Sequence, residues 1–502
     1  MRNKIITILF CLVIVLAVVW KLYLVYGGLR NFGYIVPPGE DPMYHAYMVK
    51  DILAGHSETV YPLLFHRTIA LISKVSNHSP ITVINYLTPA MVLLPAIGCY
   101  VFLRLSVSRK AALIGFLLML LTSNYGLVAY GDGNYPNILT MGLFAPIALA
   151  FLLKLLRDRS PRNILGATIF FVLMVLTHHL TTALVLAVSF FFGIVLLVYS
   201  IFLKPSPHIR KISLIVLSVP IIALALVAFL PQKALFQDVV SNLRNQSTLI
   251  GTKDYAQIIS ITDTADLTGQ MIFYIGLFCL VYLVMMLGQN KKNASKLVAT
   301  LILTWFVVIF VLSRIEIVGL PARIAREVGI PLVLAVAITI DDILNKASSF
   351  RHKILLAIMI CLIFSGSLVQ YNNGFYCRPE YFTRMVWFWP EDKEKVEYIL
   401  SSLEGKTVLS NEATPYLKIM GEGKIVISDG VATEEGIKQQ IDSYNLSYVM
   451  AMKPHNPIAY PERAEQDERV RELINNYAQH NQLSLIKEFE DGTKIYKTQS
   501  NF

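Results

Sequence analysis

The segment Tyr34-Ile-Val-Pro-Pro-Gly-Glu-Asp-Pro-Met-Tyr-His-Ala-Tyr-Met-Val-Lys-Asp-Ile-Leu-Ala-Gly-His56 directly follows the first apolar stretch of the chain. It places Glu40, Asp41 and His45 beside a run of membrane-crossing length, where no packing requirement calls for ionisable side chains. Such residues at a membrane boundary are commonly functional. We therefore expect a catalytic acid on a loop at the membrane surface.

The composition is that of a polytopic α-helical membrane protein. Of the 502 residues, 55% are apolar and only 16% are charged, and the mean hydropathy is +0.55. The net charge of +10 does not predict nucleic-acid binding, because the Lys and Arg residues form short clusters between apolar runs. The five cysteines form no Cys-x-x-Cys pair, so neither a disulfide framework nor a cysteine metal site is expected.

Apolar runs of about 17 to 25 residues predict about eleven membrane-spanning helices. They cover residues 4–26, 81–103, 111–130, 138–154, 163–179, 182–203, 212–230, 270–288, 297–313, 327–344 and 354–370. With the N-terminus in the cytoplasm, every short inside loop carries at least three Lys or Arg residues, as the positive-inside rule requires. We therefore expect a multi-pass plasma-membrane protein whose outward segments include the loops 27–80 and 231–269.

The tail from residue 371 contains no further apolar run of spanning length. Short β-rich pieces alternate there with helical patterns, which is typical of a small α/β domain. The chain is thus predicted to consist of a transmembrane domain, residues 1–370, and an extracytoplasmic α/β domain, residues 371–502.

Asp41 has both a structural and a chemical interpretation. Followed by Pro42, it is a good N-cap for a helix with proline at its first position. His45 lies four residues on and so projects from the same helix face. Asp41, with Glu40 as the alternative, could act as a general base while His45 orients it, binds phosphate or ligates a metal. Capping does not consume the carboxylate, so the two interpretations are compatible.

A second acid lies in Tyr130-Gly-Asp-Gly-Asn-Tyr-Pro136. Gly-Asp-Gly is common in turns, which is the structural alternative. Asp132 nevertheless falls on the predicted outward side, like Asp41. Two carboxylates at the mouth of one helical bundle can share a divalent cation or divide the acid and base roles.

Adjacent histidines occur in Thr177-His-His-Leu-Thr-Thr182, where the sequence predicts the end of the fifth span. Such a pair is often only an interfacial polar feature. An ionisable group at a membrane span is also a candidate functional group, so His178 is a candidate ligand for a metal or a substrate.

The loop Ser313-Arg-Ile-Glu-Ile-Val-Gly-Leu-Pro-Ala-Arg-Ile-Ala-Arg326 puts three arginines on the predicted outward side, against the positive-inside pattern. Arg323 and Arg326 are three residues apart and share a helix face. Guanidinium groups suit phosphate, so we expect these two to bind a lipid phosphate. The alternative is snorkelling at the interface with Glu316 or Glu327 as partners.

The combination resembles the GT-C superfamily of integral membrane glycosyltransferases, which use polyprenyl-phosphate sugars. The resemblance rests on the outward acidic pair Glu40-Asp41, the further acid Asp132, the number of spans and the soluble tail. It implies a catalytic or metal-binding role for Asp41, with Glu40 as the alternative, and lipid-phosphate binding by Arg323 and Arg326. The tail lacks the Trp-Trp-Asp-Tyr-Gly motif of oligosaccharyltransferase catalytic subunits.

We therefore expect an enzyme that moves a sugar from a polyprenyl-phosphate donor to a hydroxyl of a glycan, lipid or protein acceptor on the extracytoplasmic face. Catalysis is assigned to Asp41, Glu40 and Asp132, and phosphate binding to Arg323, Arg326 and His45. Asp41, Asp132 and His178 are the candidate ligands of a divalent cation, Mg²⁺ or Mn²⁺. The alternatives are a transporter or lipid flippase, and a polysaccharide polymerase or ligase that uses a lipid-diphosphate glycan.

Overall fold

The computed structural model of the chain describes residues 2–31, 37, 41–55, 63–158, 160–203, 210, 213–218, 222, 225, 258–289, 293–315, 321–346, 354, 358, 362, 365, 366, 390–403, 408–410, 425–427, 433–453 and 461–498. Glu40 lies outside these residues, as do more than half of each of the predicted spans 212–230 and 354–370 and most of the loop 231–269. The predictions made for those parts of the chain stay predictions.

The described α-helices, in chain order, are α1 Arg2–Asn31, α2 Asp41–Leu53, α3 Leu64–Ser76, α4 Pro80–Leu87, α5 Leu94–Ser106, α6 Arg109–Leu121, α7 Tyr125–Gly131, α8 Tyr135–Asn137, α9 Ala145–Arg157, α10 Pro161–Val175, α11 His179–Val198, α12 Ile261–Thr268, α13 Gln270–Gly288, α14 Asn293–Leu312, α15 Pro321–Ala325, α16 Gly329–Lys346, α17 Pro390–Ser402, α18 Glu434–Ser443 and α19 Pro461–His480. Two 3-10 helices, Thr88–Leu93 and Arg326–Val328, and two π-helices, Ile138–Phe144 and Tyr199–Leu203, continue some of them.

Within the described residues, five helices are long and apolar enough to cross a membrane. They are Pro80–Ser106, Tyr135–Arg157, His179–Phe202, Gln270–Gly288 and Ala294–Leu312. The bent pair α6 and α7 counts as a sixth if it is one span. Each matches a predicted apolar run, whereas the total of about eleven stays a prediction.

Serine residues cap several spans at their first turn. The Ser108 hydroxyl accepts a hydrogen bond from the Ala111 amide at the start of α6, and Ser79 does the same for Thr82 at the start of α4. Pro80 follows Ser79 at a position where a proline removes no helical hydrogen bond. These caps satisfy amides that the helix itself leaves unpaired.

Helix α16 lies at the centre of the described bundle. Every residue from Gly329 to Asp341 is buried, and the helix packs against α6 and α13. Glycine permits one close approach: a Cβ atom on Gly276 of α13 would lie 2.8 Å from side-chain atoms of Leu332. Close contact at small residues is a usual way to pack helices in a membrane.

A break between α6 and α7 sets the position of the acidic loop. The two helices meet at 43°, and neighbouring segments satisfy the backbone groups at the break. The Asn124 amide donates to Thr268 O at 3.1 Å, and the buried Lys21 ammonium donates to Ser123 O at 3.1 Å. Helix α7 is thereby fixed against α1 and α12, and Asp132 follows its last residue.

The described part of the tail contains a five-stranded mixed sheet. Its strands are β1 Val408–Ser410, β2 Ile425–Ile427, β3 Tyr448–Ala451, β4 Ser484–Glu488 and β5 Lys494–Lys497. Their order is β2-β1-β3-β5-β4, with β1 parallel to β2 and β3, and β5 antiparallel to β3 and β4. The boundary of a separate domain at residue 371 stays a prediction, because residues 367–389 lie outside the described ranges.

One apolar cluster joins this sheet to the helices that follow the first span. Met43 of α2 and Phe65 of α3 belong to the same cluster of buried residues as Ile399 of α17 and Met450 of β3. The tail therefore packs against the segment that carries Asp41.

Candidate functional site

Asp41 and Asp132 lie close together in the structure. Asp41 is the first residue of α2, and the loop that follows α7 packs against it. Gly133 has a φ angle of +73°, and a Cβ atom added there would lie 2.9 Å from Asp41 Cβ and 2.3 Å from Pro42 Cδ. Because consecutive Cα atoms are about 3.8 Å apart, the backbones of the two acids are within roughly 10 Å of each other.

A pair of buried histidines supports this contact. His45 Nε2 donates to the carbonyl oxygen of Gly133 at 3.1 Å, and His45 Nδ1 lies 2.9 Å from His66 Nε2. Both ring nitrogens are thus engaged within the protein, so we do not retain His45 as a phosphate ligand. Burial lowers the pKa of His45 to about 4, against the opposing effect of the Gly133 hydrogen bond, so the ring is neutral near pH 7.

Arg326 forms a short ion pair with Asp132. Its Nη1 donates to Asp132 Oδ2 at 2.6 Å, and its side chain is only 2% exposed against 15% for Asp132. Burial raises the pKa of Asp132, while the charges of Arg326 and Arg323 oppose that rise. Because Arg326 is buried, interfacial snorkelling does not describe it.

Arg323 pairs with the other acid. Its Nη2 lies 3.8 Å from Asp41 Oδ2, and the two side chains are 27% and 31% exposed. The short helix α15 continues directly into the 3-10 helix Arg326–Val328, so both arginines come from one compact segment. The structure therefore joins the two predicted arginines and two of the predicted acids in a single cluster with two ion pairs.

Glu327 holds Arg326 from the other side. The carboxylate is 1% exposed; Oε1 lies 3.6 Å from Arg326 Nε and accepts a hydrogen bond from Asn137 Nδ2 at 2.8 Å. The same amide nitrogen donates to Thr181 Oγ1 at 2.8 Å, and Asn137 Oδ1 accepts from the Tyr125 hydroxyl at 2.8 Å. Every polar atom of the Asn137 amide is thus used, at the start of a π-helix of the kind often found at functional sites.

His178 caps α11 rather than closing the fifth span. Its Nδ1 accepts a hydrogen bond from the Thr181 amide and lies 2.7 Å from Thr181 Oγ1. Because Thr181 also contacts Asn137, His178 is linked through that amide to Glu327. The helix that matches the predicted span 163–179 therefore ends earlier, at Val175, and the helix that matches the predicted span 182–203 begins earlier, at His179.

The described side chains do not fit a divalent cation as they are arranged. Asp132 and Asp41 each face a guanidinium group, which would repel a cation, and His178 directs Nδ1 at its own helix. In the part of the chain that the structure describes, no three His, Cys, Asp or Glu residues come together in a group that could hold a metal. The expected ligand set Asp41, Asp132 and His178 is therefore not assembled, and no metal enters the chemistry that we derive.

Four buried residues of this cluster were not predicted as site residues. They are His66, Tyr125, Asn137 and Glu327. Glu327 entered the sequence analysis only as a partner for snorkelling, although its proximity to Arg326 was a signal. No feature of the sequence pairs Asn137 with Glu327, which is 190 positions away.

The described helices are those of a polytopic membrane protein, and its fold is similar to that of GT-C membrane glycosyltransferases. Three solved structures of GT-C glycosyltransferases are similar to it. The Archaeoglobus fulgidus oligosaccharyltransferase, without ligand, is 11% identical with a TM-score of 0.62, and the match covers 98% of this chain and 75% of that one. ArnT from Cupriavidus metallidurans, bound to undecaprenyl phosphate, is 11% identical with a TM-score of 0.57 and 98% coverage of both chains. The arabinofuranosyltransferase AftD from Mycobacteria is 12% identical with a TM-score of 0.57, covering 98% of this chain and 40% of that one.

The chain belongs to the family described as "6-pyruvoyl-tetrahydropterin synthase related domain; membrane protein", which matches residues 62–373. This match includes Asp132, Arg323 and Arg326, whereas Asp41 precedes it. No curated protein is similar enough in sequence to count as a match.

Proposed function

We propose that this protein is a membrane glycosyltransferase that transfers a sugar from a polyprenyl-phosphate donor to an acceptor hydroxyl on the extracytoplasmic face. The observation that carries the proposal is that two ion pairs, Asp41 with Arg323 and Asp132 with Arg326, lie in one cluster of side chains. The cluster lies in a chain whose fold is similar to that of GT-C glycosyltransferases. Two guanidinium groups provide an anion site, and two carboxylates beside them provide a base.

The cluster supports a division of roles. Asp41 is more exposed than Asp132, and its ion pair is longer, at 3.8 Å against 2.6 Å. A donor phosphate would compete most easily with Asp41 for Arg323, and its arrival would release the Asp41 carboxylate. Asp41 then takes the proton of the acceptor hydroxyl as that oxygen attacks the anomeric carbon, and the lipid phosphate leaves with the bonding electrons.

Asp132 and Arg326 form the fixed side of the site. Their short, largely buried pair keeps the Arg326 guanidinium in place, with Glu327 on its other side. A guanidinium prepared in this way stabilises charge developing on the departing phosphate without further reorganisation. One similar solved structure has undecaprenyl phosphate bound, and another is a complex with a dolichol-phosphate, which supports a lipid phosphate as the ligand here.

The proposed location follows from the predicted topology. The N-terminus would lie in the cytoplasm of a cell with this protein in its plasma membrane, and the sheet-containing tail would lie outside. The contact of the tail with α2 and α3 supports a role in closing the acceptor side of the site.

The test uses the purified full-length protein in lipid nanodiscs, supplied with radiolabelled polyprenyl-phosphoryl sugars and with acceptors extracted from the source membranes. We expect sugar transfer together with release of polyprenyl monophosphate. Transfer from polyprenyl-diphosphoryl glycans alone would instead favour the polymerase or ligase alternative. Lipid movement across proteoliposome membranes without any sugar transfer would contradict the proposal and favour a flippase.

A further inference from the structure

Two histidines from separate helices connect the segments that carry the two acids. His45 lies one helical turn after Asp41 in α2, and His66 lies in α3. The Gly133 carbonyl that accepts from His45 belongs to the loop of Asp132. This hydrogen bond therefore crosses from the Asp41 helix to the Asp132 loop, whereas the bonds from Gly133 N to Tyr130 O and from Asn134 N to Ala129 O hold the loop to α7.

The hydrogen-bonding partners define the tautomers of both rings. A carbonyl oxygen can only accept, so His45 Nε2 carries the hydrogen that points to Gly133 O. In a neutral ring His45 Nδ1 is then an acceptor, and His66 Nε2 must donate to it across 2.9 Å. The hydrogen bonds run in one direction, from His66 to His45 and on to Gly133.

The surroundings make this relay rigid. Both imidazoles are buried, and the rings of Phe65 and Tyr135 lie 5.3 Å and 5.7 Å from the His45 ring. In such a desolvated place, a missing donor leaves a polar atom without solvent to replace it. Neither histidine is assigned a chemical step by the proposed mechanism.

We propose that His45 and His66 are positioning residues that hold the Asp132 loop against the N-terminus of α2 and so set the spacing of the two carboxylates. The proposal rests on the proposed function for its consequence in catalysis, but not for the geometry that it assigns. His45 positions the loop directly, and His66 acts through His45.

The matched test compares His66→Gln with His66→Asn in the full-length protein in nanodiscs. The two variants carry the same amide, but only the longer glutamine places a donor where His66 Nε2 lies. For His66→Asn we expect faster hydrogen–deuterium exchange across residues 129–135 and, because displaced catalytic groups cost up to about 10²-fold, a kcat lowered by about that order. The donor KM should stay within about twofold, since the loss belongs to the reacting state rather than to donor binding. For His66→Gln we expect both readouts near those of the wild type.

Phe65→Leu is the packing control, because Phe65 touches both histidine rings but takes no part in the hydrogen bonds. It should lower thermal stability while leaving kcat unchanged, and any faster exchange in the loop should be confined to Tyr135, whose ring lies 6.0 Å from that of Phe65. Equal behaviour of His66→Gln and His66→Asn, or an equal effect of Phe65→Leu on the loop, would overturn the proposal. So would a raised donor KM with unchanged kcat.

A measurement on the wild type removes any dependence on the folding of a variant. Nitrogen NMR of protein labelled at histidine should show His45 and His66 as neutral Nε2–H tautomers, with the His45 signals identified by their loss in His45→Gln. An Nδ1–H tautomer at His45 would overturn the relay. If the wild type transfers no sugar while the tautomers and the exchange results agree with expectation, the proposed function fails and the positioning relay stands.

Discussion

Asp41 and Asp132 differ in how firmly arginine holds them, and this difference predicts different effects of neutralising each one. Asp41→Asn removes the proposed base and should lower kcat by about 10²- to 10⁴-fold, the usual contribution of general acid–base catalysis. Asp132→Asn leaves Arg326 without its closest carboxylate, so the guanidinium is held less firmly against the departing phosphate, and kcat should fall by a smaller factor with the donor KM little changed. Steady-state kinetics with a polyprenyl-phosphoryl sugar measure both effects.

Asp51→Asn is the matched control, because Asp51 lies on the same helix α2 as Asp41. It should transfer sugar at the wild-type rate. A folded Asp41→Asn protein with wild-type kcat would remove Asp41 from the mechanism.

The buried position of Glu327 beside Arg326 predicts that neutralising its carboxylate will lower both stability and activity. Glu327→Gln keeps an oxygen that accepts from Asn137 but removes the charge that faces Arg326. The side chains of Glu327 and Arg326 are both almost fully buried. Losing a buried charged hydrogen-bond partner typically costs about 1–3 kcal/mol, so the free energy of unfolding should fall by about that amount. kcat should fall as well, because Arg326 is no longer held from the side of Glu327 when charge develops on the departing phosphate. Thermal unfolding in nanodiscs and the kinetics above test this.

The control for Glu327→Gln is Glu434→Gln, which breaks the pair with exposed His480 in the tail. Substitutions at such surface pairs usually change stability by less than about 0.5 kcal/mol. If the two variants are equally stable, Glu327 does not support Arg326 in the way its burial implies.

At the level of helices and loops, the contact between the Asp132 loop and α2 depends on Gly133. Gly133→Ala puts a Cβ atom against the Pro42 ring and forces an L side chain into a left-handed conformation. Strain of that kind costs about 1–3 kcal/mol before the steric clash is counted. We expect lower stability together with a fall in kcat, because the two carboxylates move apart.

Gly55 offers a matched comparison for this substitution. Its φ angle is +83°, close to that of Gly133, but no atom lies within 4 Å of an added Cβ. Gly55→Ala should therefore show the backbone cost alone and keep kcat. Equal losses of stability and activity in Gly55→Ala and Gly133→Ala would show that the contact with α2 does not matter.

The positions of several helices followed from the lengths of apolar runs. The predicted span 270–288 coincides with Gln270–Gly288, because the eighteen residues that follow Gln270 are all apolar or glycine and leave little freedom for the ends. The break before α11 was predicted between residues 179 and 182, a few residues later than the structure has it, because the apolar pattern alone does not fix the ends of the helices. Only the side chain of His178, which accepts from the Thr181 amide, marks the new start.

The candidate site was predictable only in part, because some of its residues are brought together by contacts between segments that are distant in the sequence. Charged side chains on the predicted outward side are visible in the pattern of apolar runs and charges, and this pattern indicated Asp132, Arg323 and Arg326. Glu327 and Asn137 become site residues through burial and through a hydrogen bond between distant parts of the chain. His45 was expected to face a ligand, but its partners His66 and Gly133 come from other segments that sequence spacing does not identify.

For the whole molecule, buried histidine predicts a loss of stability in acid. The folded-state pKa of His45 lies at about 4, below the ordinary value of 6.5, because burial disfavours the charged ring. Its contribution to stability is therefore complete above about pH 6.5 and is lost progressively as the pH falls towards about 4. His178 acts in the same direction, since burial also lowers its pKa.

His45→Gln should make the unfolding temperature less sensitive to pH across this window, with lower stability at neutral pH where the relay is broken. Thermal unfolding between pH 4 and pH 8 measures both effects. An unchanged slope in His45→Gln would show that His45 is already charged in the folded protein, which its donation to Gly133 and acceptance from His66 do not allow.

The most direct test of the acid–arginine site is a cryo-EM structure of the full-length protein in nanodiscs with undecaprenyl phosphate. We predict that the phosphate lies between Arg323 and Arg326, that the distance from Arg323 to Asp41 exceeds its present 3.8 Å, and that Asp132 stays paired with Arg326. A phosphate bound elsewhere, with both ion pairs unchanged, would contradict the assignment of this cluster as the donor site.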